Sequence, residues 1–196
     1  RIESFDKTGS YEFNNLYKDV YDTAKDTLVI TNFLRHNSKF NLNFSSISSV
    51  GISIGASVAL VSAYINKDIR NVVSIIGNPC CWEHTVVTNS FKMFASSKTL
   101  STEKIRSDII QYDPINQLCK MNPLPNIYFQ NGKLDITVPI KSVNESFAEL
   151  RKIYINQNQE ERLLQTKYSK AGHEISIRMI NDLLIWLDTQ SMGTRG

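Results

Sequence analysis

Gly51-Ile52-Ser53-Ile54-Gly55 lies between two segments of different periodicity. Ahead of it, Ser46–Ile52 is short and carries β-branched residues, as a strand does. Behind it, Ser57–Asn66 runs helically, with Val58, Ala59, Val61, Ala63 and Ile65 apolar. A serine in a tight strand-to-helix turn is held out from the backbone, where its hydroxyl can act as a nucleophile. The flanking glycines are expected to permit a close approach that side chains would block. The backbone N–H of Ile54, at a helix N-terminus, points at the same space and can stabilise an oxyanion. Taken alone, G-x-S-x-G is a common turn in which Ser53 would cap the following helix. The small residues Ala56, Ser57 and Ala59, which suit close helix–sheet packing, raise it above that.

Further along, strands and helices alternate. The run Val72–Ile76 is apolar but for Ser74 and is stopped by Gly77, Asn78 and Pro79, which suits a strand covered on both faces. Short helices are expected at about Ser101–Gln111 and Pro114–Lys120. A strand follows at Pro125–Gln130, closed by Asn131-Gly132. Helical periodicity covers Ile140–Ile155, a strand Leu163–Tyr168, and a helix Glu174–Leu187. Before the first strand, Phe13, Leu16, Tyr17, Val20, Ala24 and Leu28 mark an amphipathic helix over Tyr11–Leu34. Alternation of this kind predicts an α/β fold, a mostly parallel sheet with helices on both faces, whose ligands bind beyond the carboxyl ends of the strands.

Two more residues stand at such ends. Asp135 follows the strand Pro125–Gln130 within Asn131-Gly132-Lys133-Leu134-Asp135. Its bland reading is a surface turn in which the carboxylate bonds its own backbone. His173 follows the strand Leu163–Tyr168, with Gly172 beside it, and is read as opening the last helix. A histidine between a carboxylate and a serine has the reach and the pKa of a general base. Nucleophile, acid and histidine, each just past a successive strand, follow the chain order of a serine-hydrolase triad.

With those pieces in place, the chain resembles an α/β-hydrolase, and more closely the small dienelactone-hydrolase-like and prolyl-oligopeptidase-like esterases. The matching pieces are the elbow Gly51–Ala56, Tyr112-Asp113-Pro114-Ile115, Pro125–Pro139 against a P-x-L-x-x-H-G-x-x-D-x-x-V-P block, and Gly172-His173. The resemblance runs roughly from Ser46 to Leu187, judged by strand and motif order. It implies Ser53 as nucleophile, His173 as base, Asp135 as its orienting acid, and no cofactor or metal. The sequence departs from the family at Ala56, where a second glycine is usual, and at Asn131, where a histidine is usual. It also departs at the amino end, where the family has several strands before the elbow and this sequence has one. The expectation is a fold incomplete at that end, with one oxyanion donor, Ile54, named and the second lacking.

The chain of 196 residues is long enough for a single domain, 1–196, with a real core. Residues 81–111 are expected to form a small insertion or lid, with Trp82 and, on the acid loop, Val138 as candidate substrate contacts. Net charge is +3, with lysine and arginine interleaved among acids, so no basic stripe for nucleic acid appears. No run is long and apolar enough to span a membrane. Cys80, Cys81 and Cys119 are too few and too irregular for a disulfide framework, which favours a reducing, cytoplasmic setting. Cys80 and Cys81 read as small buried hydrophobes. The three histidines lack ligand spacing, so no metal site is expected. The function expected is hydrolysis of a small-molecule carboxylic ester. A peptidase of the prolyl-oligopeptidase type and a non-catalytic binding protein on the same fold are the alternatives.

Overall fold

A computed structural model of the chain describes residues 16–37, 39, 42, 47–82 and 102–192. The elements in order are α1 (Leu16–His36), β1 (Ile47–Ile52), α2 (Gly55–Ile65), β2 (Ile69–Ile75), α3 (Thr102–Tyr112), α4 (Ile115–Leu118), β3 (Asn126–Gly132), α5 (Ile140–Asn156), β4 (Leu163–Tyr168) and α6 (Ile177–Met192). The strands form one sheet in the order β1-β2-β3-β4, and every pairing is parallel. The expected α/β architecture is therefore present. The start of the first expected helix, with Phe13, and most of the insertion at 81–111 lie outside the described residues.

Each parallel pair needs a crossover that leaves and re-enters the same end of the sheet. α2 joins β1 to β2 and α5 joins β3 to β4, and both cover one face. There Ala59, Leu60 and Ala63 of α2 and Val143, Leu150 and Tyr154 of α5 pack with Ile69, Val72, Ile127 and Phe129. On the other face α6 lays Met179 and Leu183 against Val73, Ile75, Tyr128 and Tyr168. Apolar contacts on both sides explain why Val72, Val73 and Ile75 of β2 do not follow a strict apolar–polar alternation. Ile69 and Val72, three residues apart, face the same side because β2 bulges. Ile47 pairs with Ile69 while Ser48 pairs with Asn71, leaving Arg70 extra.

α1 lies outside α2. Tyr17, Val20 and Ala24 bury against Val61, Trp82 and Ile109, with Tyr17 and Trp82 stacked at 4.5 Å between ring centroids. No helix among the described residues is long and apolar enough to cross a membrane.

Among the element boundaries that differ from the sequence expectation, two bear on the site. β3 continues through Asn131-Gly132 instead of ending before them, and Gly132 pairs with Tyr168 of β4. α6 begins at Ile177, not Glu174, because the Ser176 hydroxyl accepts the Met179 N–H at 3.2 Å and caps the helix there. His173 thus stands in a loop three residues before the cap, free of helical geometry.

Candidate active site

The turn after β1 is built by close backbone contact. A Cβ on Gly51 would sit 2.0 Å from the Gly55 carbonyl oxygen and 2.5 Å from the Ala56 nitrogen. Only glycine therefore lets the strand pass the start of α2. Gly55 differs from expectation: a Cβ there meets nothing within 4 Å, so its absence opens no room for the backbone. Gly77, after β2, closes the turn from the other side, since a Cβ on it would meet Ala56 Cβ at 2.4 Å and the Ser53 oxygen at 2.5 Å. Ser53 itself adopts φ 53°, a left-handed conformation that costs a non-glycine residue free energy and is found at functional turns. It is held there by its N–H donating to the Ile75 carbonyl at 2.9 Å and by its carbonyl accepting from Ala56 N–H at 3.0 Å.

The Ser53 side chain does not cap α2, whose N-cap residue is Ile54 without a side-chain cap. Its hydroxyl instead lies 3.0 Å from His173 Nε2. On the other side of the ring, His173 Nδ1 lies 2.8 Å from Asp135 Oδ2. The Asp135 side chain is fully buried while that of His173 is partly exposed, so the carboxylate is screened from water and the imidazole faces it. Asp135 Oδ1 accepts the N–H groups of Thr137 and Val138, both at 2.8 Å. The bland reading of Asp135 as a turn-former and its reading as a partner of histidine are thus both fulfilled, one by each oxygen.

The acid and histidine loops meet backbone to backbone. Lys133 N–H donates to the Tyr168 carbonyl and Leu134 N–H to the Ala171 carbonyl, each at 2.9 Å. Between them Gly132 leaves no space: a Cβ would stand 2.3 Å from the Ala171 oxygen and 2.5 Å from the Gly172 oxygen. Asn131, buried where a histidine was the family expectation, donates from Nδ2 to the Gly77 carbonyl at 3.0 Å and so ties the end of β3 to the end of β2. Gly77 and Asn131-Gly132, which the sequence offers only as strand stops, are what hold these loop ends together. Their signal was an Asn-Gly pair, which reads as a turn and here ends a strand.

A buried carboxylate, Asp113, organises the segment after β2. It accepts from the N–H groups of Cys81 at 3.0 Å, Trp82 at 2.6 Å and Ile115 at 3.1 Å. Cys81 there takes φ 52°. Asn78 donates to Ser142 Oγ at 3.2 Å and Ser146 Oγ at 2.9 Å, fastening the same segment to α5.

Trp82 is not placed as a substrate contact: it is 1% exposed, stacked under Tyr17, with its indole N–H donated to the Pro79 carbonyl at 3.2 Å. A ring with no free surface has nothing to offer a ligand. Val138 is half-buried beside Asp135 and packs on the core under α5. Ile54 follows Ser53, and its N–H is among the first of α2, a group with no acceptor inside a helix. Among the described residues no group of three or more His, Cys, Asp or Glu side chains stands together as a metal site would. A cleft of about 250 Å³ lined by Lys67, Arg70, Met121 and Leu124 opens at the amino ends of β2 and β3, the opposite end of the sheet from Ser53.

No protein-family model matches the sequence, and no curated protein does. Solved structures match in shape. An acylaminoacyl peptidase of Pyrococcus horikoshii aligns with a TM-score of 0.60 at 13% identity, over 82% of this chain and 26% of its own. An esterase of Pyrococcus furiosus aligns with a TM-score of 0.53 at 16% identity, over 87% and 59%. TT1662 of Thermus thermophilus aligns with a TM-score of 0.53 at 21% identity, over 71% and 52%. The chain therefore spans between half and two thirds of the length of the last two. At such identities the likeness is one of fold, and the fold is that of the α/β-hydrolases.

Proposed function

We infer that this protein is a serine hydrolase that cleaves small-molecule carboxylic esters through an acyl-enzyme on Ser53. The observation that carries this reading is the unbroken run of hydrogen bonds from Ser53 Oγ through both nitrogens of His173 to Asp135. With its proton on Nδ1 and donated to Asp135, His173 offers a bare Nε2 to the serine hydroxyl. Ser53 Oγ attacks the ester carbonyl carbon as its proton passes to Nε2. The buried Asp135 carboxylate stabilises the imidazolium that results. Charge gathers on the carbonyl oxygen, where the Ile54 N–H donates to it; one such donor is worth about 10²–10³ in rate. Collapse expels the alcohol, which takes the proton from Nε2, and water repeats the sequence to free the acid. The three cysteines, all free thiols, support a reducing setting such as the cytoplasm.

The test is labelling with a fluorophosphonate probe, peptide mapping, and turnover of p-nitrophenyl acetate against a matched anilide. Label on Ser53, lost in Ser53→Ala and His173→Ala, with the ester turned over faster than the amide, is the expected result. Equal or faster amide turnover would move the assignment to a peptidase. A folded protein that takes no label would make the fold a non-catalytic scaffold.

A further inference from the structure

The three loops that carry Ser53, Asp135 and His173 share a property the chemistry does not call for. Leu134 and Ile136 flank Asp135, Ile175 stands two residues beyond His173, and Ile177 opens α6 directly after that loop. Ile54 follows Ser53. All five side chains are exposed. Single exposed aliphatics are ordinary, but aliphatics gathered at one end of a sheet are not. Leu134 is 63% exposed, Ile136 81% and Ile177 82%, so most of each side chain is open to solvent. The Leu134 N–H bond to the Ala171 carbonyl holds two of the loops together, so these side chains belong to one surface. Two exposed lysines, Lys133 and Lys170, lie in the same loops, and neither makes an ion pair among the described residues. They stand against a single exposed carboxylate in those loops, Glu174.

We propose that this end of the molecule docks on an anionic lipid surface, with the aliphatic side chains entering the acyl region and the lysines meeting the headgroups. Exposed apolar groups combined with uncompensated cations are the two signals that reversible interfacial binding needs. The surface would deliver apolar acyl esters to Ser53 directly. That last consequence rests on the serine-hydrolase reading; the docking itself does not.

The experiment is co-sedimentation with vesicles of equimolar phosphatidylcholine and phosphatidylglycerol, compared with vesicles of phosphatidylcholine alone. It uses the full chain carrying Ser53→Ala, so that no lipid is consumed. Three variants are compared on that background: Leu134→Ser/Ile136→Ser/Ile177→Ser, Lys133→Glu/Lys170→Glu, and a control at the exposed aliphatics of α1, Val29→Ser/Ile30→Ser/Phe33→Ser. Circular dichroism and melting check that each is folded. The proposal expects the first variant to weaken partitioning roughly tenfold, about 1.4 kcal/mol. It expects the second to weaken binding to the anionic vesicles only, and the control to bind as the parent does. A parent that stays in the supernatant overturns it, as does a loop variant that still sediments or a control variant that is the one to lose binding. Turnover of p-nitrophenyl acetate by the same variants with Ser53 restored separates the two readings. Activity without sedimentation removes the docking surface and leaves the hydrolase. Sedimentation without Ser53-dependent activity does the reverse.

Discussion

Asp135 divides its carboxylate between two tasks, and the division makes a sharp prediction. Asp135→Asn keeps an oxygen for the Thr137 and Val138 N–H groups, so the loop and the melting temperature are expected to hold. The amide turned toward His173 now donates, forcing the imidazole proton onto Nε2 and removing the base. Ester turnover is expected to fall by about 10⁴ with Ser53 still present. The glycines make a second prediction by contrast. Gly132→Ala drives a Cβ into the Ala171 and Gly172 carbonyl oxygens, which moves the histidine loop. A displacement near 1 Å is enough to cost about 10² in rate, read as slowed fluorophosphonate labelling. Gly55→Ala enters open space in the first turn of α2 and is expected to label normally, and to melt slightly higher by up to roughly 0.5–1 kcal/mol. Labelling lost in Gly55→Ala and kept in Gly132→Ala would falsify this account of the turn.

Between elements, the buried Asp113 side chain gathers backbone groups from two segments. It binds three backbone N–H groups with no exposure, fixing Cys81 in its left-handed conformation and seating Trp82 beneath α1. Asp113→Ala leaves those donors buried and unmatched and is expected to cost roughly 3 kcal/mol, measured by denaturant melts. Cys80 lies in the same segment. Its hydrogen bond with Cys81 and its burial push the thiol well above its ordinary pKa, so it resists alkylation. Exposed Cys119 is expected to be the thiol that dithionitrobenzoate reaches in the native protein. The order of strands and helices was legible in the sequence because two-sided burial and helical periodicity leave plain apolar patterns, as at Val72–Ile76 and Ile140–Ile155. That Ser53, Asp135 and His173 would meet was legible because each falls just past a strand. What was not legible depends on distant partners. Asn131-Gly132 ends a strand only because β4 pairs with it, and Trp82 is removed from any pocket by Tyr17, more than sixty residues earlier. The start of α6 is within reach of the sequence, since Ser176 is a good cap ahead of an apolar helix.

For the molecule as a whole, the sheet has a centre and two flanks. β2 and β3 are paired on both sides and covered on both faces, whereas among the described residues β1 and β4 each pair on one side. Amide hydrogen exchange is expected to be slowest in Val72–Ile75 and Ile127–Gln130. It should be faster in α1, whose buried residues Tyr17, Val20 and Ala24 lie in its first half and whose Val29, Ile30 and Phe33 are exposed. The order β1-β2-β3-β4 also means that each strand is laid down beside the one just finished, so the sheet can grow while the chain is being made. Ser53 is made before its hydrogen-bonding partner His173, which lies 120 residues later. At about 5–20 residues per second a ribosome takes roughly 6–24 s to cover that distance. Throughout that interval the nascent polypeptide holds the Ser53 turn without His173 beside it, and the run of hydrogen bonds from Ser53 to Asp135 closes only once β4 and the loop after it have been translated.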